Sequence, residues 1–234
     1  MKRFYKLVSI DKTGGGYHIL LDGKPVKTKS GAYLCAANEA IATRIMTEWA
    51  EQKEHILPDT MPFTQILNTK IDRVSKEREE MSKYVLKYMD TDLICYFADN
   101  PPELLDKQKQ AWQIWLDWFE KEFGIALETT TGLAALTQDS CAHEAAADFV
   151  HALDDEHFTI LQLVTSISGS VILGLAMIKG TANAAQVFDA CFVEESFREA
   201  LYDAEKYGAD PALEKEQKAK MRDFNAAHDY IALL

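Results

Sequence analysis

The stretch from Phe158 to Gly180, FTILQLVTSISGSVILGLAMIKG, constrains the fold most, because no ionisable side chain interrupts it before Lys179. Its length reaches the roughly 20 residues that an α-helix needs to cross a bilayer, so a membrane span has to be weighed first. Against that span, Gln162, Thr165, Ser166, Ser168 and Ser170 crowd the segment, and the flank before it, Asp154-Asp155-Glu156, is acidic. Ile160, Val164, Ile167, Val171, Leu175 and Ile178 recur at steps of three and four, with Ser166, Gly169, Ser170 and Gly174 beside them. A broad apolar stripe beside small residues predicts one buried helix over 158–179, central to a soluble bundle and not inserted in a membrane.

The 234 residues suffice for one large domain or two modest ones with a real core. A net charge of −12 argues against nucleic acid, whose phosphates need clustered Lys and Arg. Cys35, Cys95, Cys141 and Cys191 are far apart, without a C-x-x-C pair, and sit among apolar neighbours. That pattern predicts reduced, buried thiols and neither disulfides nor a zinc site. MKRFYKLVSID enters a strand-like pattern at once, with neither a signal-peptide apolar region nor an Arg/Ser-rich transit sequence. The expected location is the bacterial cytoplasm, or the mitochondrial matrix for a processed organellar form.

Residues 3–35 read as a small antiparallel meander. Phe4–Ile10 and Tyr17–Leu21 are strand candidates separated by Gly14-Gly15-Gly16, and Asp22-Gly23 is a two-residue hairpin turn requiring positive φ twice. Pro25–Lys29 would return, and Ser30-Gly31 would turn again before Tyr33-Leu34-Cys35. A phosphate loop must open a helix, and the triple glycine opens a strand. Asn38 suits the cap of a helix to about Lys53 whose Ile41, Ile45, Trp49 and Gln52 face the sheet. The Pro58–Pro62 link marks a boundary, giving an N-terminal β-rich domain over 1–60 and a helical domain over 61–234.

Helical patterns then cover 63–74, 76–89, 103–123, 140–153, 158–179, 182–206 and 211–233. The aromatic segment Trp112, Trp115, Leu116, Trp118 and Phe119 reads as core, with a recognition surface as the alternative, and Gly124 as a left-handed cap. The last helix would start at Asp210-Pro211 and bury Leu213, Gln217, Met221, Phe224, His228 and Ile231. Glu214–Lys218 and Glu216–Lys220 lie four apart, worth about 0.3 kcal/mol each. The fold class is α+β.

Catalytic constellations are missing. His143-Glu144 would need histidine at 147 to complete a zinc-protease helix, and Ala147 stands there. Asp154-Asp155-Glu156-His157 reads as a helix-capping turn. Gly169 and Gly174 have a Walker-like spacing but are followed by Leu175-Ala176 in place of Lys and Ser/Thr. No catalytic residue, metal ligand or cofactor is expected. The better polar feature is Glu194-Glu195, which interrupts the apolar rows of Phe188, Cys191 and Phe192 and of Val187 and Leu201. A carboxylate buried without a partner costs several kcal/mol, on the order given by desolvation, so each must be paired or at an edge. Two readings stand: an internal pair with Arg198 or Arg44, or acids that meet a basic group on a partner.

Several phrases taken in order resemble one family: RFYK at 3–6, YHILLDGKPVKT at 17–28, EWAEQ at 48–52, MPFT at 61–64 and NTKID at 68–72. TDLICYFADNPPELL at 91–105, Gln108, Trp112, WFEKEFG at 118–124, the apolar run and Glu194-Glu195 continue the series. Together they are similar to the assembly chaperones of the ATP synthase F(1) head that hold its free α subunit. The resemblance implies a β-rich domain followed by a helical bundle, and a chaperone, not an enzyme. Such a protein, monomeric when free, would bind unassembled α and prevent its aggregation until β subunits displace it. Carried over by position, it implies partner binding at Glu194, Glu195, Phe197 and Arg198. The alternative is an enzyme with a site between the β-rich part and the bundle, where pockets are common.

Overall fold

The computed structural model describes residues 1–132, 134–201 and 211–234. Strands β1 (Val8–Thr13) and β2 (Gly16–Leu21) form an antiparallel hairpin in the register Val8↔Leu21 to Thr13↔Gly16. The two short strands β3 (Lys24–Pro25) and β4 (Cys35–Ala36) share the other edge of β2, pairing with Leu20–Leu21 and Tyr17–His18 respectively. Asp22 (φ 48°) and Gly23 (φ 78°) make the expected turn with both residues left-handed. The first strand starts later than the apolar pattern suggested, because Lys6 and Leu7 donate their backbone N–H groups to the Asp22 carboxylate (3.0 and 2.8 Å). The expected return over Pro25–Lys29 is a regular strand only to Pro25, but its pairing continues: Val26 N donates to Ile19 O at 2.9 Å, Leu34 N to Val26 O at 2.9 Å, and Lys27 bridges Tyr33. Of the three glycines, Gly16 serves close approach: a Cβ there would lie 2.5 Å from the Ala36 carbonyl oxygen.

Helix α1 (Glu39–Glu51) starts at Asn38, whose Oδ1 accepts from Ile41 N at 2.9 Å while its Nδ2 donates to Leu233 O at 2.8 Å. That one side chain caps the helix and ties it to the C-terminus. Ile41, Ala42 and Ile45 are fully buried. The link to the helical region is fastened: Gln52 Oε1 accepts from Leu57 N at 2.7 Å, and Ile56 and Met61 are buried with Tyr5 and Leu21. One continuous buried cluster takes in Ile19, Ile41, Phe63, Trp112, Phe158 and Tyr230, on both sides of residue 60.

Helix α2 (Pro62–Thr69) runs through a π-turn (Lys70–Val74) into α3 (Ser75–Leu86). Helices α4 (Pro102–Phe123), α5 (Ser140–Ala152), α6 (Asp155–Ser168), α7 (Val171–Ile178), α8 (Ala184–Cys191), α9 (Val193–Leu201) and α10 (Pro211–Ile231) follow. Gly124 ends α4 in the left-handed region, and Trp112, Trp115, Leu116 and Phe119 are core. Asp154 caps α6 by accepting from His157 N at 2.8 Å. The ion pairs Glu214–Lys218 and Glu216–Lys220 form at 3.2 and 2.8 Å.

The 158–179 run is two helices, not one. Gly169 (φ 74°) closes α6 with its N–H on Thr165 O at 2.9 Å, and Ser170 opens α7 by accepting from Leu173 N at 3.0 Å. Helix α7 folds back onto α6 so closely that a Cβ on Gly174 would lie 2.8 Å from Leu161 Cδ1. Val171 to Met177 are all buried, so α7 is apolar all round and presents no phase by which periodicity could detect the break. Among the described residues no helix is long and apolar enough to cross a membrane.

Three smaller expectations are corrected. The 182–206 pattern breaks at Phe192 (φ −108°, ψ 14°) between α8 and α9. His228 is exposed on α10, where Phe224, Ala227 and Tyr230 carry the burial. Cys95 is buried, Cys35 and Cys191 are partly buried, and Cys141 is exposed at the start of α5; all four are free thiols. The Asp210 cap lies outside the described residues.

Candidate partner-binding surface

Helix α8 is set by a capping box in which Asn183 and Gln186 each accept the other's backbone N–H (2.9 and 3.0 Å). Its far end is pinned to α4, where Trp112 Nε1 donates to Ala190 O at 2.7 Å. Phe188 and Phe192 stack with ring centroids 4.3 Å apart, and the Lys220 ammonium lies 4.8 Å above Phe192. Burial pushes the Cys191 thiol up to about 12, so it stays protonated and unreactive at neutral pH.

Because α9 starts immediately after Phe192, Glu194 and Glu195 fall in its first turn, where the helix dipole favours carboxylates. The structure separates the four expected residues by direction. Glu194 Oε1 accepts from Gln108 Nε2 at 2.9 Å, and fully buried Gln108 accepts in turn from Ala98 N at 2.7 Å. A core amide thus orients Glu194 without neutralising it. Glu195 pairs with Arg198 at 3.4 Å, one turn on, with Arg198 two-thirds exposed. Phe197 is buried and faces inward with Val193. Arg44, the other basic candidate, pairs instead with Asp229 of α10 at 3.4 Å. Both glutamates are half-buried; Arg198 is the exposed member of the set, and Glu195 reaches the surface beside it.

Beside this helix pair, a groove of about 770 Å³ lies between α1, α2, α8 and α10. Phe63, Phe188 and Met221 supply apolar lining, and Arg44, Arg222 and Asp229 supply charge. The Arg44 guanidinium stands 4.9 Å over the Phe63 ring. Glu48 also lines the groove, but both its oxygens face α2. Oε1 accepts from Phe63 N at 2.7 Å, and Oε2 accepts from Thr64 N and Oγ1 at 2.8 and 2.7 Å. Burial raises its carboxyl above the usual range even though these hydrogen bonds pull the other way. Among the described residues, no group of three or more His, Cys, Asp and Glu side chains is placed to hold a metal ion.

Sequence reasoning missed the work of Gln108 and Glu48. Their partners lie 86 and 15–16 residues away in the chain, so no local spacing reports them.

The ATP12 chaperone protein family model matches residues 2–120. Atp12 from Paracoccus denitrificans is a similar solved structure, with a TM-score of 0.86 and 30% identity over 99% of this chain and 97% of that one. An aspartate-to-lysine variant of it matches at a TM-score of 0.85, with 30% identity and the same coverage. A candidate chaperone from Agrobacterium tumefaciens matches at 0.88, with 30% identity over 99% of this chain and 85% of that one.

Proposed function

Because the chain belongs to the ATP12 chaperone family, we propose that it is a cytoplasmic chaperone of ATP synthase F(1) assembly, with the unassembled α subunit as its client. An isolated α subunit exposes surfaces meant for β, and large exposed apolar patches promote aggregation. Covering them disfavours self-association by mass action, and β releases the client by competing for an overlapping surface. The observation that carries the reading is the end-to-end likeness, 99% of this chain at 30% identity. On this reading Glu195 and Arg198 contact the client, Glu194 is held in place by Gln108, and Phe197 seats the helix.

The enzyme alternative would need a titratable group aimed into the groove. The perturbed carboxylate there, Glu48, has both oxygens engaged as the cap of α2, which favours the binding reading.

The test is aggregation of purified F(1) α subunit with and without this chain, together with co-purification on tagged chain. Wild type should suppress light scattering and recover α in preference to β. Glu195→Lys should weaken both by about tenfold, the scale of losing one charge-assisted contact and gaining a like-charge clash. A chain that neither binds α nor slows its aggregation would end this reading.

A further inference from the structure

The N-terminal segment does not simply lead into the sheet. Arg3 N donates to Glu54 O at 2.9 Å and Ile56 N to Met1 O at 2.7 Å, so the first residues lie antiparallel to the 54–56 link. This pairing builds a recess of about 720 Å³ lined by Lys2, Arg3, Lys6 and Lys53, with Glu54 its one carboxylate. Four cations around one acid stand out in a chain of net charge −12. Lys2, Arg3, Lys6 and Lys53 make no ion pair among the described residues; the nearby Asp22 carboxylate accepts backbone N–H groups of Lys6 and Leu7.

Arg3 is fixed at the inner wall. Its Nη1 donates to Gln52 O at 2.6 Å, its Nη2 to Lys6 O at 3.3 Å, and its guanidinium lies 4.7 Å over the Tyr5 ring. Its Nε–H is buried with no acceptor. The guanidinium is held on carbonyls and makes no ion pair among the described residues, although the Asp22 carboxylate is near enough to feel the charges of Lys6 and Arg3. Apolar side chains stand near the recess without lining it: Phe4 packs edge-on against Tyr5, which does line it, and Leu57 lines the adjoining hollow that shares Lys53, Glu54 and His55 and also carries Glu51. Phe4 and Leu57 are each more than half exposed.

We propose that this recess docks an acidic segment of a protein partner that also carries apolar side chains. It is a second binding surface, opposite in charge preference to Glu194-Glu195, and it does not depend on which client those acids meet. The overall charge of −12 repels extended polyanions such as nucleic acid or an anionic membrane, while a short acidic segment feels mainly the local cations within a Debye length.

The probe is a fluorescein-labelled ten-residue peptide of alternating Glu and Leu or Phe, titrated with the full chain by fluorescence anisotropy. Saturable binding is expected. It should weaken about tenfold both between 0.1 and 0.5 M NaCl and in a Lys2→Glu/Lys53→Glu variant, as screening of surface charge requires. Phe4→Ser/Leu57→Ser should weaken it about threefold, and the counterpart peptide with Lys for Glu should not bind. Lys2 and Lys53 are exposed, so the fold should hold; if it does not, Lys2→Gln/Lys53→Gln takes their place. Absence of binding by the wild type, or equal binding by the charge variants, overturns the proposal. So does sedimentation with phosphatidylcholine–phosphatidylglycerol vesicles that the same variants abolish while the peptide stays unbound, which would make the recess a membrane contact.

Discussion

Two carboxylates, Asp92 buried and Glu48 half-buried, show how single residues hold distant segments. Asp92 is fully buried beside the α6–α7 turn; Oδ1 accepts from Ile94 N at 3.3 Å and Oδ2 from Ile172 N at 3.1 Å. Burial pushes its carboxyl up to about 6, against hydrogen bonds from Ser170 and nearby backbone that pull it down. Since the folded protein holds this proton more tightly than the unfolded chain, ionisation costs stability. The contribution is fully present below pH ~4, falls through about pH 6 and levels off above, by roughly 3 kcal/mol at about 1.4 kcal/mol per unit. Urea titrations at pH 4.5 to 7.5 should show this fall in wild type and a flatter profile in Asp92→Asn; equal slopes would refute the assignment. Glu48 acts in the other connection, across the Pro58–Pro62 link. Glu48→Ala strips α2 of three hydrogen bonds and should lower unfolding free energy by about 2–3 kcal/mol, read from the urea midpoint.

At the level of elements, the α6–α7 hairpin is set by two glycines with different reasons. Gly169 needs its left-handed backbone, yet a methyl there would lie 3.8 Å from Leu93 Cβ, an ordinary contact. Gly169→Ala should therefore cost only strain, about 1 kcal/mol. Gly174 is ordinary helix, but a methyl there meets Leu161 Cδ1 at 2.8 Å and Thr165 Oγ1 at 3.0 Å. Leu161 is fully buried, so its shift is resisted by the core, and Gly174→Val should cost about 2–3 kcal/mol. Thermal melts that rank Gly169→Ala as the more damaging would show that the turn, and not the contact, limits the hairpin. In α9 the same logic separates roles: Val193 and Phe197 fasten the helix, and that leaves Glu195 and Arg198 on its outer side.

Across the whole molecule, one buried cluster joins the sheet and α1 to the bundle, and Asn38 Nδ2 bridges to Leu233 O near the C-terminus. Division near residue 60 by secondary structure therefore need not mean independent stability. We expect one cooperative transition in calorimetry, with calorimetric and van't Hoff enthalpies equal; two resolved transitions would mean two separately stable units. Glu195→Lys should leave that transition nearly unchanged, since an exposed ion pair contributes about 0–1 kcal/mol. A loss of client protection without loss of stability would then belong to the surface of α9 and not to its folding.

Local chemistry was readable in the chain wherever the determining partner lay close by. Asp22-Gly23, Asn38, Gly124 and Asp154 each act on backbone within a few residues, and all four do what their types predict. The aromatic stripe of α4 was legible for the same reason, as its period and its burial share one cause. The ordered phrases from RFYK to Glu194-Glu195 carried the family. What tertiary structure alone decided is where the apolar run breaks, because a segment buried on every side has no polar face to mark its phase, and Gly169 sits among other small residues that equally suit a close-packed helix face. It also decided the fate of the acids. Whether Glu194 or Glu195 turns inward depends on the break at Phe192 and on Gln108, 86 residues from Glu194, and no periodicity spans that distance.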